Sequence, residues 1–125
     1  MKTIANLTLD FDEARQVARE LERAGFSRKD ISIVANDATR EFAEAGVADA
    51  ALEIPDAGPI VATGPVIPAL AGAPELLQAL TKFGLSKDDA HFYSEGVGRG
   101  GAVVIVNAPD DQAEEAEAIL EGNHV

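Results

Sequence analysis

Three residues in the second half of the chain have a spacing that could hold a divalent metal ion. Asp88, His91 and Glu95 stand at positions i, i+3 and i+7, which places them near one face of a helix. Two carboxylates and an imidazole on one face can ligate such a cation. A solvated helix face explains the same three residues, and we take it as the default interpretation.

A glycine-rich segment at residues 96–101, Gly-Val-Gly-Arg-Gly-Gly, superficially matches the glycine spacing of a dinucleotide-binding loop. Such a loop leaves a strand and opens a helix, whose N-terminal amides hold the phosphate. Here the order is reversed, because the segment follows a predicted helix and precedes a predicted strand. It therefore predicts a helix end and a tight turn. Arg99, beside the amide of Gly100, remains a candidate contact for an anionic ligand.

Three further residues are candidate ligand contacts. Gly58 and Gly64 each precede a proline. The first interpretation of the two Gly-Pro steps is a bend in the chain, and the second is a surface that a ligand can approach closely. Tyr93 follows Phe92, and the simple interpretation is that at least one ring packs in the core. No nucleophile, base and orienting group can be placed together from the sequence, so we predict no catalytic residue and no cofactor.

The elements that must position these residues begin with a β-α-β unit. Residues 3–9 and 31–35 predict two strands, which should run parallel because a helix joins them. Asp10 can cap that helix, with Glu13 three residues on in the manner of a capping box. Gly25 marks its C-terminal end.

An internal repeat extends this pattern, since residues 21–30 are echoed at 80–89. The second copy predicts a helix over 74–83, a further helix capped by Ser86, and a strand over 102–106. A third strand is expected over 59–66, at an edge or a bend because of its prolines. A helix should follow Pro109.

These elements predict one α+β domain over 1–125, a ferredoxin-like sandwich of two β-α-β halves. Its four-stranded sheet would carry helices on one face, with an additional C-terminal helix. Residues 36–51 form a variable inserted segment that could be helical or disordered, because alanine and glutamate favour a helix and Gly46 weakens it.

Composition limits the partners and the compartment. The chain carries 22 acidic and 10 basic side chains, a formal net charge of −12, which repels nucleic acid and anionic membranes. No cysteine is present, and the opening residues lack a signal-peptide pattern, so we expect a cytoplasmic protein. The uncharged stretch 57–74 is nearly long enough to span a membrane, but four prolines argue against a membrane helix.

Two segments resemble the general stress protein 17M-like domains, also called heat-induced or low-temperature-induced stress proteins. Residues 54–65 read Ile-Pro-Asp-Ala-Gly-Pro-Ile-Val-Ala-Thr-Gly-Pro, and residues 84–101 read Gly-Leu-Ser-Lys-Asp-Asp-Ala-His-Phe-Tyr-Ser-Glu-Gly-Val-Gly-Arg-Gly-Gly. The first β-α-β unit is also similar to theirs, so the resemblance covers nearly the whole chain except 36–51. Many members carry a long, glycine-rich apolar zipper in that region, whereas the corresponding segment of this chain is short and acidic.

The resemblance implies a bacterial stress-associated protein and supplies no agreed catalytic residues. We therefore expect a non-enzymatic stress-response protein that acts by self-association or by binding a protein partner of unknown identity. A homodimer is expected, because helices on one side of the sheet would leave an apolar face uncovered. The alternative is a regulatory module that senses a small ligand or a metal at a subunit interface near Arg99 and His91.

Overall fold

Residues 2–122, which the computed structural model describes, form an α+β fold around one five-stranded antiparallel sheet. Its strands are β1 Lys2–Thr8, β2 Ile31–Asn36, β3 Ala50–Ile54, β4 Gly58–Thr63 and β5 Ala102–Ala108. The spatial order is β1-β5-β2-β4-β3, and every neighbouring pair is antiparallel. Consequently β1 and β2 run parallel to each other, as expected, with β5 inserted between them.

Six helices accompany the sheet within the same residues. They are α1 Phe11–Arg23, α2 Glu41–Ala45, α3 Ile67–Leu70, α4 Leu76–Phe83, α5 Lys87–Gly98 and α6 Ala113–Gly122. Two short 3-10 turns, Arg28–Asp30 and Asp110–Gln112, precede β2 and α6.

Local capping determines where α1 begins. The Asp10 carboxylate accepts a hydrogen bond from the Glu13 amide at 2.9 Å, and the Glu13 carboxylate accepts one from the Leu9 amide at 3.3 Å. These bonds satisfy amides that have no partner inside the helix. The predicted cap is therefore confirmed, with the return bond made to residue 9 rather than to the cap residue itself.

The internal repeat corresponds to matching local structures. Leu21 and Leu80 are both fully buried on the inner faces of α1 and α4. Ser27 caps the first 3-10 turn by accepting from the Lys29 amide, and Ser86 caps α5 by accepting from the Asp89 amide. The same short sequence thus ends one helix and begins the next helical turn in both copies.

The two copies pack on opposite faces of the sheet, which corrects the prediction of helices on one face. Val104 and its alternate neighbours in β5 face the core that contains α1 and α6. Val103 and Ile105 face a second core, built with α3, α4 and α5. Alternating residues of one strand point to opposite sides, so β5 is buried by both layers. The four-stranded ferredoxin-like sandwich is not confirmed.

The strand predicted over 59–66 is confirmed, but its position in the sheet and the additional strand beside it differ from the prediction. The 59–66 segment supplies β4, which lies between β2 and β3 rather than at the edge. The edge strand beside β4 is β3, which the sequence did not indicate, and it comes from the end of the segment 36–51 and the residues after it. The same segment contains α2, so its middle is helical.

The uncharged stretch 57–74 folds onto the protein, as its prolines predicted. It contains β4 and α3, and it buries Ile60, Val66 and Leu70 in the second core. Across residues 2–122, no helix combines the length and the apolar character needed to cross a membrane.

Candidate functional site: a cationic groove beside the first helix

An open groove of about 690 Å³ lies along α1. Its floor includes Ile31 and Ile33 of β2, next to Thr63 and Gly64 at the end of β4. One wall is α1 itself, and Val47 and Asp49, in the segment before β3, line the groove as well. This volume falls within the range of about 300–1,000 Å³ that is typical of small-molecule sites.

Basic side chains dominate the charged lining of this groove. Four of the ten Lys and Arg residues of the chain line it, against two carboxylates. They are Arg15, Arg19, Arg28 and Lys29. The groove is therefore a local positive region in a chain whose net charge is −12.

Both carboxylates that line the groove are already engaged. The Glu22 carboxylate lies 3.6 Å from Nε of Arg28, and the Asp49 carboxylate accepts a hydrogen bond from the Gly64 amide at 3.3 Å. Arg15, Arg19 and Lys29 make no ion pair within 4 Å among residues 2–122.

Helix α1 sets the spacing of Arg15 and Arg19, and the ring of Phe11 contacts Arg15. Arg15 and Arg19 are four residues apart, which is about 6 Å along the helix axis, so they point from the same face. The guanidinium carbon of Arg15 lies 5.7 Å from the ring centroid of Phe11, a cation–π contact that favours one placement of the charge. Phe11 in turn packs against Phe42 with ring centroids 5.0 Å apart.

A buried carboxylate holds α2, which supplies the Phe42 ring. Asp37 is only 3% exposed, and its two carboxylate oxygens accept hydrogen bonds from the amides of Phe42 and Ala43 at 3.0 and 2.9 Å. An exposed ion pair between Arg40 and Glu53, 3.1 Å long, joins this segment to β3. The segment 36–51 is thus tied to the fold at both ends.

Most of the ligand contacts predicted from sequence lie away from the groove. Arg99 follows α5, is largely exposed, and has Nη2 3.6 Å from the Glu95 carboxylate. Gly100 forms the turn after it, donating to the carbonyl of Val97 at 3.0 Å. Gly58 begins β4 in the hairpin with β3. Of the five predicted contacts, Gly64 alone lines the groove.

The predicted metal ligands do not assemble into a site. Nε2 of His91 contacts the Glu95 carboxylate at 2.6 Å, and both side chains are largely exposed. In the described part of the chain, no three His, Cys, Asp or Glu side chains form a group that could hold a metal ion. The spacing of Asp88, His91 and Glu95 gives a solvated helix face instead.

Tyr93 has a structural contact rather than an open ligand-binding position. Its hydroxyl donates a hydrogen bond to the carbonyl of Ala5 in β1 at 2.9 Å, and its ring packs edge-on against Phe92. Burial raises the pKa of the Tyr93 hydroxyl above its usual value, and the negative charge of Asp89 raises it further. The neutral hydroxyl is therefore the form that the fold stabilises.

This pKa shift predicts a loss of stability in alkaline solution. Because the folded-state pKa is raised, the contribution is fully present below about pH 10 and is lost as the pH rises through the folded-state pKa. We expect the stability advantage of the wild type over Tyr93→Phe to shrink above pH 10, as measured by urea unfolding at pH 8 to 11. Tyr93 is the single tyrosine in the sequence, so no other phenol contributes. Parallel pH profiles for the two proteins would contradict the assignment.

One feature of the sequence, a cluster of basic residues, pointed to the groove but did not lead to its prediction. Half of the ten basic residues of the chain fall between positions 15 and 29. On α1 they recur every four residues and alternate with acidic side chains, which is also the pattern of an ordinary solvated helix face. Only the fold brings this face beside Asp49 and Gly64.

The two quoted segments that resemble stress proteins lie at β4 with the turn before it and at α5 with the turn after it, and the similar first β-α-β unit comprises β1, α1 and β2. Residues of α1 and β2 line the groove, and so do Thr63 and Gly64 at the end of the first quoted segment. Comparisons with family models, with curated proteins and with solved structures find no match, so membership of the stress-protein family stays a prediction.

Proposed function

We propose that this protein is a non-enzymatic binding module whose groove holds a small anionic ligand. One observation carries the proposal: Arg15, Arg19 and Lys29 line the groove and make no ion pair with any carboxylate of residues 2–122. The stress-response role implied by the resemblance remains part of the proposal, with ligand binding as its biochemical step. The predicted location near Arg99 and His91 is replaced by the groove along α1.

The charge of the whole chain strengthens the argument. Grouping cations in one groove costs electrostatic energy unless an opposite charge lies nearby. This chain has 22 acidic side chains that could supply such charges, yet three groove cations make no ion pair with them in residues 2–122. An anionic ligand would complete the site by charge-assisted hydrogen bonds, which are stronger than neutral ones.

The lining favours binding over acid–base catalysis. Glu22 lies near Arg28 and Asp49 accepts from the Gly64 amide, so each lining carboxylate already has a partner. Of the two functions that the sequence predicted, the groove therefore supports the ligand-binding module. The homodimer was expected in order to cover an apolar face of the sheet. Helices cover both faces, so this reason for self-association no longer applies.

Neutralising the α1 wall tests the proposal. We expect inorganic phosphate, titrated at low ionic strength and followed by amide NMR shifts, to perturb α1 and the 3-10 turn Arg28–Asp30. The double variant Arg15→Gln/Arg19→Gln should weaken phosphate binding by about tenfold or more, since a hydrogen bond to a charged group contributes about 1.5–3 kcal/mol.

The control is Arg23→Gln, which removes one positive charge from the same helix outside the groove lining. It should leave phosphate affinity within about twofold of the wild type. Equal affinities for the wild type and the double variant, or shifts confined to other elements, would contradict the proposal. Circular dichroism of each variant checks that α1 remains folded.

A further inference from the structure

We infer that the ligand of this groove is an amphiphile, an anionic headgroup joined to an apolar body, taken up as a free molecule. The inference rests on the proposed function and adds the chemical class of the ligand. It follows from the chemistry of the groove lining, in which the cations of α1 and the 3-10 turn share the groove with one exposed apolar side chain, Val47.

The cations come from α1 and from the 3-10 turn that follows it. Arg15 and Arg19 project from one helix face, and Lys29 lies in the turn that leads into β2. A headgroup beside this wall can meet guanidinium and ammonium donors together. Carboxylate and phosphate headgroups share the required chemistry, an anionic oxygen cluster that accepts several charged hydrogen bonds.

One exposed apolar side chain lies on the remaining surfaces of the groove. Ile31 and Ile33 lie in the floor but are almost fully buried, whereas Val47, from the segment before β3, is exposed. Val47 is 38% exposed and is one of three large hydrophobic residues that are exposed in residues 2–122. The other two, Leu9 and Phe92, do not line the groove. An apolar body on Val47 would remove this side chain from water, which is favourable.

The length of the groove suits a headgroup followed by a short chain. Its α1 wall runs from Phe11 to Glu22, which is about 16 Å at the rise of an α-helix. A bare inorganic anion would engage the cations and leave Val47 exposed to water. An amphiphile would contact both the cations and Val47.

The surroundings favour a free molecule over a membrane surface. Helix α6 packs beside α1 and carries acidic residues with no Lys or Arg between Asp110 and Gly122. An anionic bilayer is repelled by the net charge of −12 of the whole chain. A single small amphiphile enters the groove and meets mainly its cations.

A series of alkyl phosphates tests the inference. Phosphate and its ethyl, butyl and hexyl esters are titrated below their micellar concentrations by calorimetry. Affinity is expected to rise about twofold per methylene group, which corresponds to half of the transfer free energy of a fully buried methylene. Hexanoate should bind in the same groove, because it shares the headgroup chemistry. A flat series would overturn the inference.

Two variants separate this inference from the proposed function. Val47→Ser should weaken hexyl phosphate about fivefold and leave inorganic phosphate unchanged, whereas the control Leu9→Ser should change neither. If chain length has no effect while Arg15→Gln/Arg19→Gln still abolishes phosphate binding, the inference fails and the proposed function stands. If the double variant binds phosphate normally, the proposed function fails. Co-sedimentation with phosphatidylglycerol vesicles would overturn uptake as a free molecule.

Discussion

Replacing Leu80 by alanine is expected to destabilise the fold by about 2–5 kcal/mol, the usual cost of removing a buried leucine side chain. Leu80 is fully buried among Leu76 and Ala79 on the sheet face covered by α3, α4 and α5. The truncation leaves a cavity, since neighbouring helices relax only in part. A domain of this size has a total stability of about 5–15 kcal/mol, so the loss is a large share.

The companion variant Leu21→Ala tests the opposite layer. Leu21 is also fully buried, in the core built with α1 and α6, and we expect a similar cost. Urea unfolding gives both free energies, and Lys82→Ala on the exposed side of α4 should change stability by less than about 0.5 kcal/mol. If Leu21→Ala alone were costly, the layer containing α4 would not be a packed core.

Elements whose boundaries depend on neighbouring residues were predictable from the sequence. Asp10 and Ser86 begin helices because their side chains accept bonds from amides three residues on. Gly25 follows the end of α1 because a left-handed backbone there favours glycine. The β-α-β opening and the helices of the second copy therefore match their expected positions.

The arrangement of those elements depends on contacts that no local pattern contains. The amphipathic stripes of α1 and α4 indicate that one face of each helix is buried, but not which side of the sheet buries it. The edge strand β3 was missed for a related reason. Ala51, Leu52 and Glu53 have helical preference, and pairing with β4 is what makes them a strand.

The groove could not be predicted because its walls are distant in sequence. Arg15 and Arg19 on α1 face residues that follow them by about thirty positions or more, including Val47 and Gly64. The arginine stripe alone is compatible with a solvated helix. Its function as a wall emerges only when β4 is placed beside β2.

Gly64→Ala is expected to be the most destabilising single-methyl change in the fold, at about 3–5 kcal/mol from backbone strain and overpacking together. A Cβ at this position would clash with the backbone carbonyl oxygen of Ile31, and the glycine has a φ of +85°. A backbone atom of β2 cannot rotate away as a side chain can. The clash would therefore push β4 away from β2 where both form the groove floor.

Gly58→Ala provides the matched control, because it isolates the backbone conformation from the clash. Gly58 has a φ of +75°, but a Cβ there would meet no heavy atom within 4 Å, so we expect a cost of about 1–2 kcal/mol. Urea unfolding of both variants gives the difference, and equal costs would contradict the close approach of β4 to β2. Gly64→Ala should also weaken phosphate binding whereas Gly58→Ala should not, because of these two glycines Gly64 lines the cationic groove and donates its amide to Asp49.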